Sequence, residues 1–299
     1  MIYVTQGHER SISIEVFLKS CLHLCHSSLE KIVFICNKKS LLKNLEDLDI
    51  KAEVSEDNIF LYSKKIKCSF IQDSQFQSSA CLETALFKIT SKDVLLTLPT
   101  SKDQLILNKI VQKGHTEYFR TKFGDKNISM NFLSDSEKII LITDHIPLKN
   151  ITSSIDENLI LKKVSSFIEK FPQQSHYFIS GINPHSGENG LLGTEDKLIT
   201  NAIAILKNTF KEKVFTGPIP GDVIYRHSNE GVLVFMYHDQ ALSYFKSKNL
   251  FRAINMTLGL PFTRVSPDHG TAFELYGKNK ANYFGCLHCI NWSLKYLSK

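Results

Sequence analysis

The sequence predicts an α/β protein with a largely parallel sheet, on three observations. Strand-like and helix-like segments alternate along most of the chain. The apolar run DVLLTL at 93–98 is nearly continuous, as a strand covered on both faces requires. Three segments of strand character, KIILIT, YFIS and VLVFMY, are each followed within a few residues by a histidine, at 145, 185 and 238. Parallel strands would deliver those three side chains to one side of the sheet, where open α/β sheets place their ligands.

Taken in order, residues 1–5 form a short strand and 6–11 a turn that can face a ligand. A helix is expected over 12–29, with the apolar stripe Ile14, Phe17, Leu22 and Leu24. A strand follows at 31–36 (KIVFIC), then a helix from Lys38. Residues 50–72 read as short strands on a meander and 78–89 as a helix. Pro99 ends the 93–98 strand, and a helix opens around Gln104. GHTE at 114–117 interrupts the alternation before a helix at 118–123. Strands at 128–133 and 138–143 precede a helix at 155–171, which Pro172 stops. A strand at 176–180 leads into a glycine-rich loop and a helix at 194–206. Strands at 213–216 and 231–237 come next, then a helix to about 248, strands at 252–257 and 262–265, and a last helix at 282–297.

Composition narrows the function classes. The 299 residues, 42% hydrophobic, can bury one large core or two. A charged fraction of 22% argues against general disorder. The net charge of +6 is spread along the chain, which suits small anionic substrates such as phosphates. No Arg/Lys stripe with interleaved aromatics marks a nucleic-acid surface. No apolar run reaches membrane-spanning length, and the N-terminus lacks the organisation of a signal peptide, so a cytoplasmic protein is expected. Seven irregularly spaced cysteines then read as free thiols. Two metal-like clusters, Cys21/Cys25/His26 and Cys286/His288/Cys289, each lack the second pair of a structural zinc site and read as helix packing.

The loop SGINPHSGENGLLGTE at 180–195 carries four glycines, which allow positive φ and close backbone approach. His185 is its one residue able to bind a metal or move a proton. Any one of His145, His185 and His238 could be an ordinary core or loop histidine. Three at equivalent strand ends favour a shared divalent-ion site, with Asp144 and Asp239 placed to orient the rings. A second set, His115, Thr116, Lys246, Asn255 and Arg264, has the chemistry that a phosphate and a carboxylate need.

The segments GHTEYF, DHIPL, GINPHSGENGLLGTED, GPIPGD, MYHDQALSYFK, INMTLGLPFTRVSPDHGTAFEL and GKNKAN, covering roughly the last 190 residues, resemble the 4-hydroxythreonine-4-phosphate dehydrogenase family of vitamin B6 biosynthesis. The resemblance implies a two-lobed subunit with the fold of isocitrate and isopropylmalate dehydrogenases, and a homodimer with its active site at the subunit interface. It implies metal ligation by His145, His185 and His238, the last from the partner subunit, and substrate binding by His115, Thr116, Lys246, Asn255 and Arg264. HGTAFELYGKNKAN is also similar to the nicotinamide-cofactor loop of those dehydrogenases, which places His269, Gly270, Thr271 and Asn282 near NAD or NADP. The ion suits zinc, with magnesium, manganese or cobalt as alternatives. The expected lobes are 1–114 with 270–299, and 115–269.

The implied reaction oxidises 4-phosphohydroxy-L-threonine to a β-keto acid that decarboxylates to 3-amino-2-oxopropyl phosphate. The N-terminal loop TQGHERSISIE departs from the family's TPGEPAGIGPE, and Gly is lost from GPxxK at Leu98. A dehydrogenase for another phosphorylated hydroxy acid, such as a four-carbon sugar acid phosphate, and an idle ligand-binding homologue are the alternatives.

Overall fold

The computed structural model describes residues 1–124 and 127–298. The chain opens with β1 (Ile2–Thr5), α1 (Ser13–Leu22), α2 (His26–Leu29), β2 (Ile32–Asn37) and α3 (Lys38–Asp47). Then come β3 (Ala52–Val54), β4 (Asn58–Leu61), β5 (Lys64–Ile71), α4 (Gln77–Lys88) and β6 (Val94–Thr97). A hairpin of β7 (Ile106–Leu107) and β8 (Ile110–Val111) precedes α5 (His115–Phe123). The middle holds β9 (Ser129–Leu133), β10 (Lys138–Leu141), α6 (Ile151–Ser154), α7 (Glu157–Lys170), β11 (His176–Ser180) and α8 (Asp196–Thr209). It continues through β12 (Val214–Ile219), β13 (Val232–Phe235) and α9 (His238–Asn249). The chain closes with β14 (Ile254–Leu258), β15 (Thr263–Pro267) and α10 (Phe284–Leu297).

Two compact units result. Among the described residues the first holds 1–124, 254–256 and 260–298, the second 127–253 and 257–259. Where the sequence reading places 115–269 together, α5 and 260–269 lie in the first unit. Register explains the latter: β15 pairs parallel with β6, Arg264 opposite Leu95.

In the first unit the strand order is β15-β6-β1-β2-β5-β4-β3. Strands β15 through β5 run parallel, and β4 and β3 extend the edge antiparallel. Ile2, Val4, Ile32, Phe34, Val94, Leu95 and Leu96 are fully buried, as the continuous apolar runs require. In the second unit β12, β11, β13 and β10 are parallel neighbours and β9 is antiparallel to β10. One face of that sheet packs Phe132, Ile139, Leu141, Leu233 and Phe235 against Ala241, Leu242 and Phe245 of α9.

Two expected elements are corrected. The 12–29 helix is broken, because Cys25 takes an extended conformation (φ −77°, ψ 164°) before α2. No helix opens at Gln104; a single tight turn at Lys102–Gln104 leads into the β7–β8 hairpin, since Gln112 N–H returns to the carbonyl of Leu105. Cys21, Cys286 and Cys289 are buried as packing residues, while Cys25 is exposed. Among the described residues no helix is long and apolar enough to cross a membrane.

Candidate active site

The second unit brings two of the three histidines together. β10 and β13 pair parallel with Leu141 opposite Phe235. Beyond the strands, Thr143 N–H donates to the carbonyl of Met236 (3.0 Å) and its hydroxyl donates to the same oxygen (2.7 Å). The two strand exits therefore stay side by side, and the rings of His145 and His238 lie 5.4 Å apart between centroids. Nitrogens about 2.0–2.1 Å from one tetrahedral ion would put two imidazole centroids roughly 5 Å apart, so the spacing of the pair is compatible with one divalent ion. A cavity of about 140 Å³ opens beside them, lined among others by Thr143, Asp144, Tyr237 and Asp239.

Their polar neighbours are in place. His238 Nδ1 lies 2.8 Å from the Asp239 carboxylate, which is largely exposed. Asp144 is buried and sits 4.0 Å from the ammonium of Lys163, itself buried on α7. His145 holds φ of 30°, a left-handed conformation that costs a non-glycine residue about 1–2 kcal/mol. Strain of this kind is characteristic of functional positions.

His185 is placed differently. It begins an unbroken left-handed run through Asn189, with φ between 43° and 79°. The run includes four residues that are not glycine, so the glycine content alone understates the turn. His185 is two-thirds exposed and lies 3.7 Å from Glu188. Among the described residues no three His, Cys, Asp or Glu side chains gather closely enough to hold an ion. His238 stands beside His145 of its own chain, whereas the resemblance implies that it reaches the site from a partner subunit.

The loop is held at its base by Asp196, at the first turn of α8. The Asp196 carboxylate accepts from Ile182 N–H (2.8 Å), Asn183 N–H (3.2 Å) and the Asn183 side-chain amide (2.9 Å). Asp196→Ala strands these donors, and we expect it to cost about 2–3 kcal/mol in denaturant unfolding. Limited proteolysis should then cut within 181–195 first.

The first unit holds the second set apart from Lys246. Arg264 is 2% exposed, and its Nε and Nη2 donate to the hydroxyl of Thr97 at 3.1 and 2.5 Å. Its guanidinium carbon lies 5.9 Å from the ring centre of Phe119 on α5. Burial pulls the Arg264 pKa below its ordinary range, yet an arginine remains charged at neutral pH. His115, the first residue of α5, is held well below its usual value by burial and by the Arg264 charge. The positive end of a helix opposes its protonation further. Thr116 is buried beside it, and Asn255 on β14 has its side-chain oxygen buried without a hydrogen-bond partner among the described residues. Lys246 lies in the second unit, exposed on α9 and about 12 Å along the helix axis from His238.

A partly buried histidine whose protonation is disfavoured gives a signed pH prediction. The unfolded chain protonates His115 near pH 6.5, the folded chain only well below it. Below pH 6.5 the unfolded state binds the extra proton, so stability falls on acidification, by at most about 1.4 kcal/mol per pH unit. Thermal unfolding at pH 7 and pH 5 should show a smaller difference in His115→Asn than in the unmodified chain.

The residues expected near a nicotinamide cofactor also lie in the first unit. His269 Nδ1 is 3.2 Å from the Gly270 carbonyl, while its Nε2 is buried without a partner. Gly270 has open space where a side chain would stand. Asn282 uses its carbonyl to accept from Phe284 N–H at the start of α10, which leaves its amide exposed. The Thr271 carbonyl accepts from Ile12 N–H at the entrance of α1. An orphaned nitrogen, an open glycine and an exposed amide are compatible with a dinucleotide.

The divergent N-terminal loop has spent its side chains on internal ties. Gln6 donates to Gln77 (2.7 Å) and accepts from Asn37 N–H (2.9 Å), and Gln77 donates to Glu9 (2.8 Å). Ser11 and Ser13 donate to the His8 carbonyl, and the His8 ring meets Phe273 edge-on at 4.9 Å. Gly7 packs so tightly that a Cβ would lie 1.8 Å from the Pro99 carbonyl oxygen. Glu15 is buried and accepts from Lys19 and from Ala281 N–H, fastening the 277–282 loop to α1. Thr97, Asp196 and Gln240 (described below) escaped the sequence reading as individual residues, although all three stood inside quoted segments.

The α/β chain has the fold of the decarboxylating dehydrogenases. Isocitrate dehydrogenase from Methylococcus capsulatus shares that fold with a TM-score of 0.52, over 98% of this chain and 84% of that one, at 8% identity. A 4-hydroxythreonine-4-phosphate dehydrogenase structure from Klebsiella pneumoniae matches with a TM-score of 0.79 over 99% of both chains at 25% identity. The 4-hydroxythreonine-4-phosphate dehydrogenase of Sulfurihydrogenibium sp. is 33% identical, covering 97% of this chain and 96% of that protein. Residues 26–293 match the model of the family described as pyridoxal phosphate biosynthetic protein PdxA, and the chain belongs to that family.

Proposed function

We propose that this protein is a nicotinamide-linked, metal-dependent dehydrogenase that oxidises 4-phosphohydroxy-L-threonine in vitamin B6 biosynthesis. The product would be a β-keto acid that loses carbon dioxide to give 3-amino-2-oxopropyl phosphate. The observation that carries this reading is the His145–His238 pair beside an open cavity, in a chain of this family. A divalent ion held by that pair would lower the pKa of the substrate's secondary alcohol, and NAD or NADP near His269, Gly270, Thr271 and Asn282 would accept hydride.

The chain's own residues do the binding and orientation. Arg264 supplies a fixed positive charge for an anionic group, with Thr97 holding the guanidinium in place. Neutral His115 can donate or accept a single hydrogen bond to substrate without adding charge. Asn255 offers an unsatisfied acceptor, suited to a substrate ammonium or hydroxyl. Thr116 and Lys246 complete the substrate set. Asp239, 2.8 Å from His238 Nδ1, would orient that imidazole, and Asp144 would do the same for His145.

A single chain offers two imidazoles in one group. The proposal is that a second copy supplies the third, His185, in a homodimer with the site at its interface. The test is NADH formation from 4-phosphohydroxy-L-threonine, with and without zinc or magnesium, for the unmodified chain and His185→Ala. Metal-dependent turnover that His185→Ala abolishes is expected. Tight metal binding without turnover of this substrate would redirect the reading to another phosphorylated hydroxy acid.

A further inference from the structure

Gln240 lies two residues beyond His238, in the first turn of α9. Its side-chain oxygen accepts from Met236 N–H (2.9 Å) and from the hydroxyl of Ser180 (3.0 Å). Its nitrogen donates to the carbonyl of Gly181 (2.8 Å). These partners fix which end of the amide is which: an oxygen toward Ser180 and Met236, a nitrogen toward Gly181. Glutamine at this helical position commonly reaches back to the chain before the helix. Here it also crosses to the neighbouring strand.

The crossing matters because of what leaves each strand. Ser180 ends β11, and the loop bearing His185 starts at the next residue. Met236 follows β13 and precedes His238 by two residues. From Ser180 to Asn183 successive backbone or side-chain groups are held: Ser180 and Gly181 by Gln240, Gly181 N–H by the Ile219 carbonyl (2.7 Å), Ile182 and Asn183 by Asp196. Gly221 of the GPIPGD segment also fits this pattern. A Cβ there would come within 2.8 Å of the Gln240 side-chain nitrogen. That glycine makes room for the amide.

We infer that Gln240 is a positioning residue that holds both the approach to His238 and the start of the His185 loop, so that each histidine is presented at a fixed place to the site it serves. The inference rests on the reading of those histidines as metal donors. Outer residues that orient donors typically change metal affinity by about 10–100-fold when removed. Gln240→Met keeps the length of the side chain and removes all three hydrogen bonds. Ser180→Ala removes one, and Gly221→Ala presses on the amide from the far side.

The experiment is a titration of the metal-free full chain with cobalt(II), followed by visible absorption, beside thermal unfolding. Gln240→Met is expected to bind cobalt about 10–100-fold more weakly while still unfolding cooperatively. Ser180→Ala and Gly221→Ala should shift affinity in the same direction by less, and they carry the test if Gln240→Met does not fold. A purely structural role would lower the unfolding temperature and leave the affinity of the folded protein unchanged. That outcome, with the unmodified chain binding cobalt, overturns the inference and leaves the metal reading standing. An unmodified chain that binds no cobalt overturns both.

Discussion

Replacing Arg264 by methionine should lower kcat/KM for the phosphorylated substrate by about 100-fold or more while leaving the fold intact. Two charge-assisted hydrogen bonds to an anion, each contributing about 1.5–3 kcal/mol, account for that magnitude. The side chain is 2% exposed, so the charge acts in a medium that screens it poorly. Burial of the guanidinium also costs stability, and an apolar residue of similar volume removes that cost. Thermal unfolding of Arg264→Met is therefore expected at or above the temperature of the unmodified chain. Arg264→Lys should lose nearly as much activity, because an ammonium cannot reproduce the fork that holds Thr97 and still faces a ligand. Steady-state kinetics beside calorimetry checks both halves. A variant with normal kcat/KM would remove Arg264 from the substrate set.

His145→Ala and His238→Ala should each reduce turnover by about three orders of magnitude, since a bound ion contributes several kcal/mol to reaction at an alcohol oxygen. The double variant should be scarcely worse than either single one, as expected for groups that act as a unit. Neither ring is buried in a core, so both single variants should unfold normally. Independent, additive losses in the double variant would mean that the two rings serve separate purposes.

Much of the architecture was legible because burial on both faces writes itself into sequence. DVLLTL and VLVFMY contain the fully buried strands β6 and β13, and the three histidines do follow adjacent strands β10, β13 and β11. Local pattern failed where tertiary contacts set conformation. The 104–111 segment carries no period that distinguishes a short hairpin from a helix, and its shape depends on the Gln112–Leu105 hydrogen bond. The site was legible as residue types and not as geometry. His145 and His238 meet because a parallel register aligns Leu141 with Phe235, almost a hundred positions apart. Gln240 was hidden for the same reason, since Ser180 and Gly181 belong to a distant segment. The left-handed conformation of Ser186, Glu188 and Asn189 had no residue-level signal beyond the glycines around them.

The central claim is a site to which one chain contributes His145 and His238 and a second copy contributes His185. Subunits of His185→Ala and His238→Ala, each inactive alone, can be unfolded, mixed in equal amounts and refolded together. In a mixed dimer one site would regain all three histidines and the other would lack two. Random pairing makes half of the dimers mixed, so NAD reduction should return to about a quarter of the unmodified level. A mixture as inactive as its two parents would contradict the shared site.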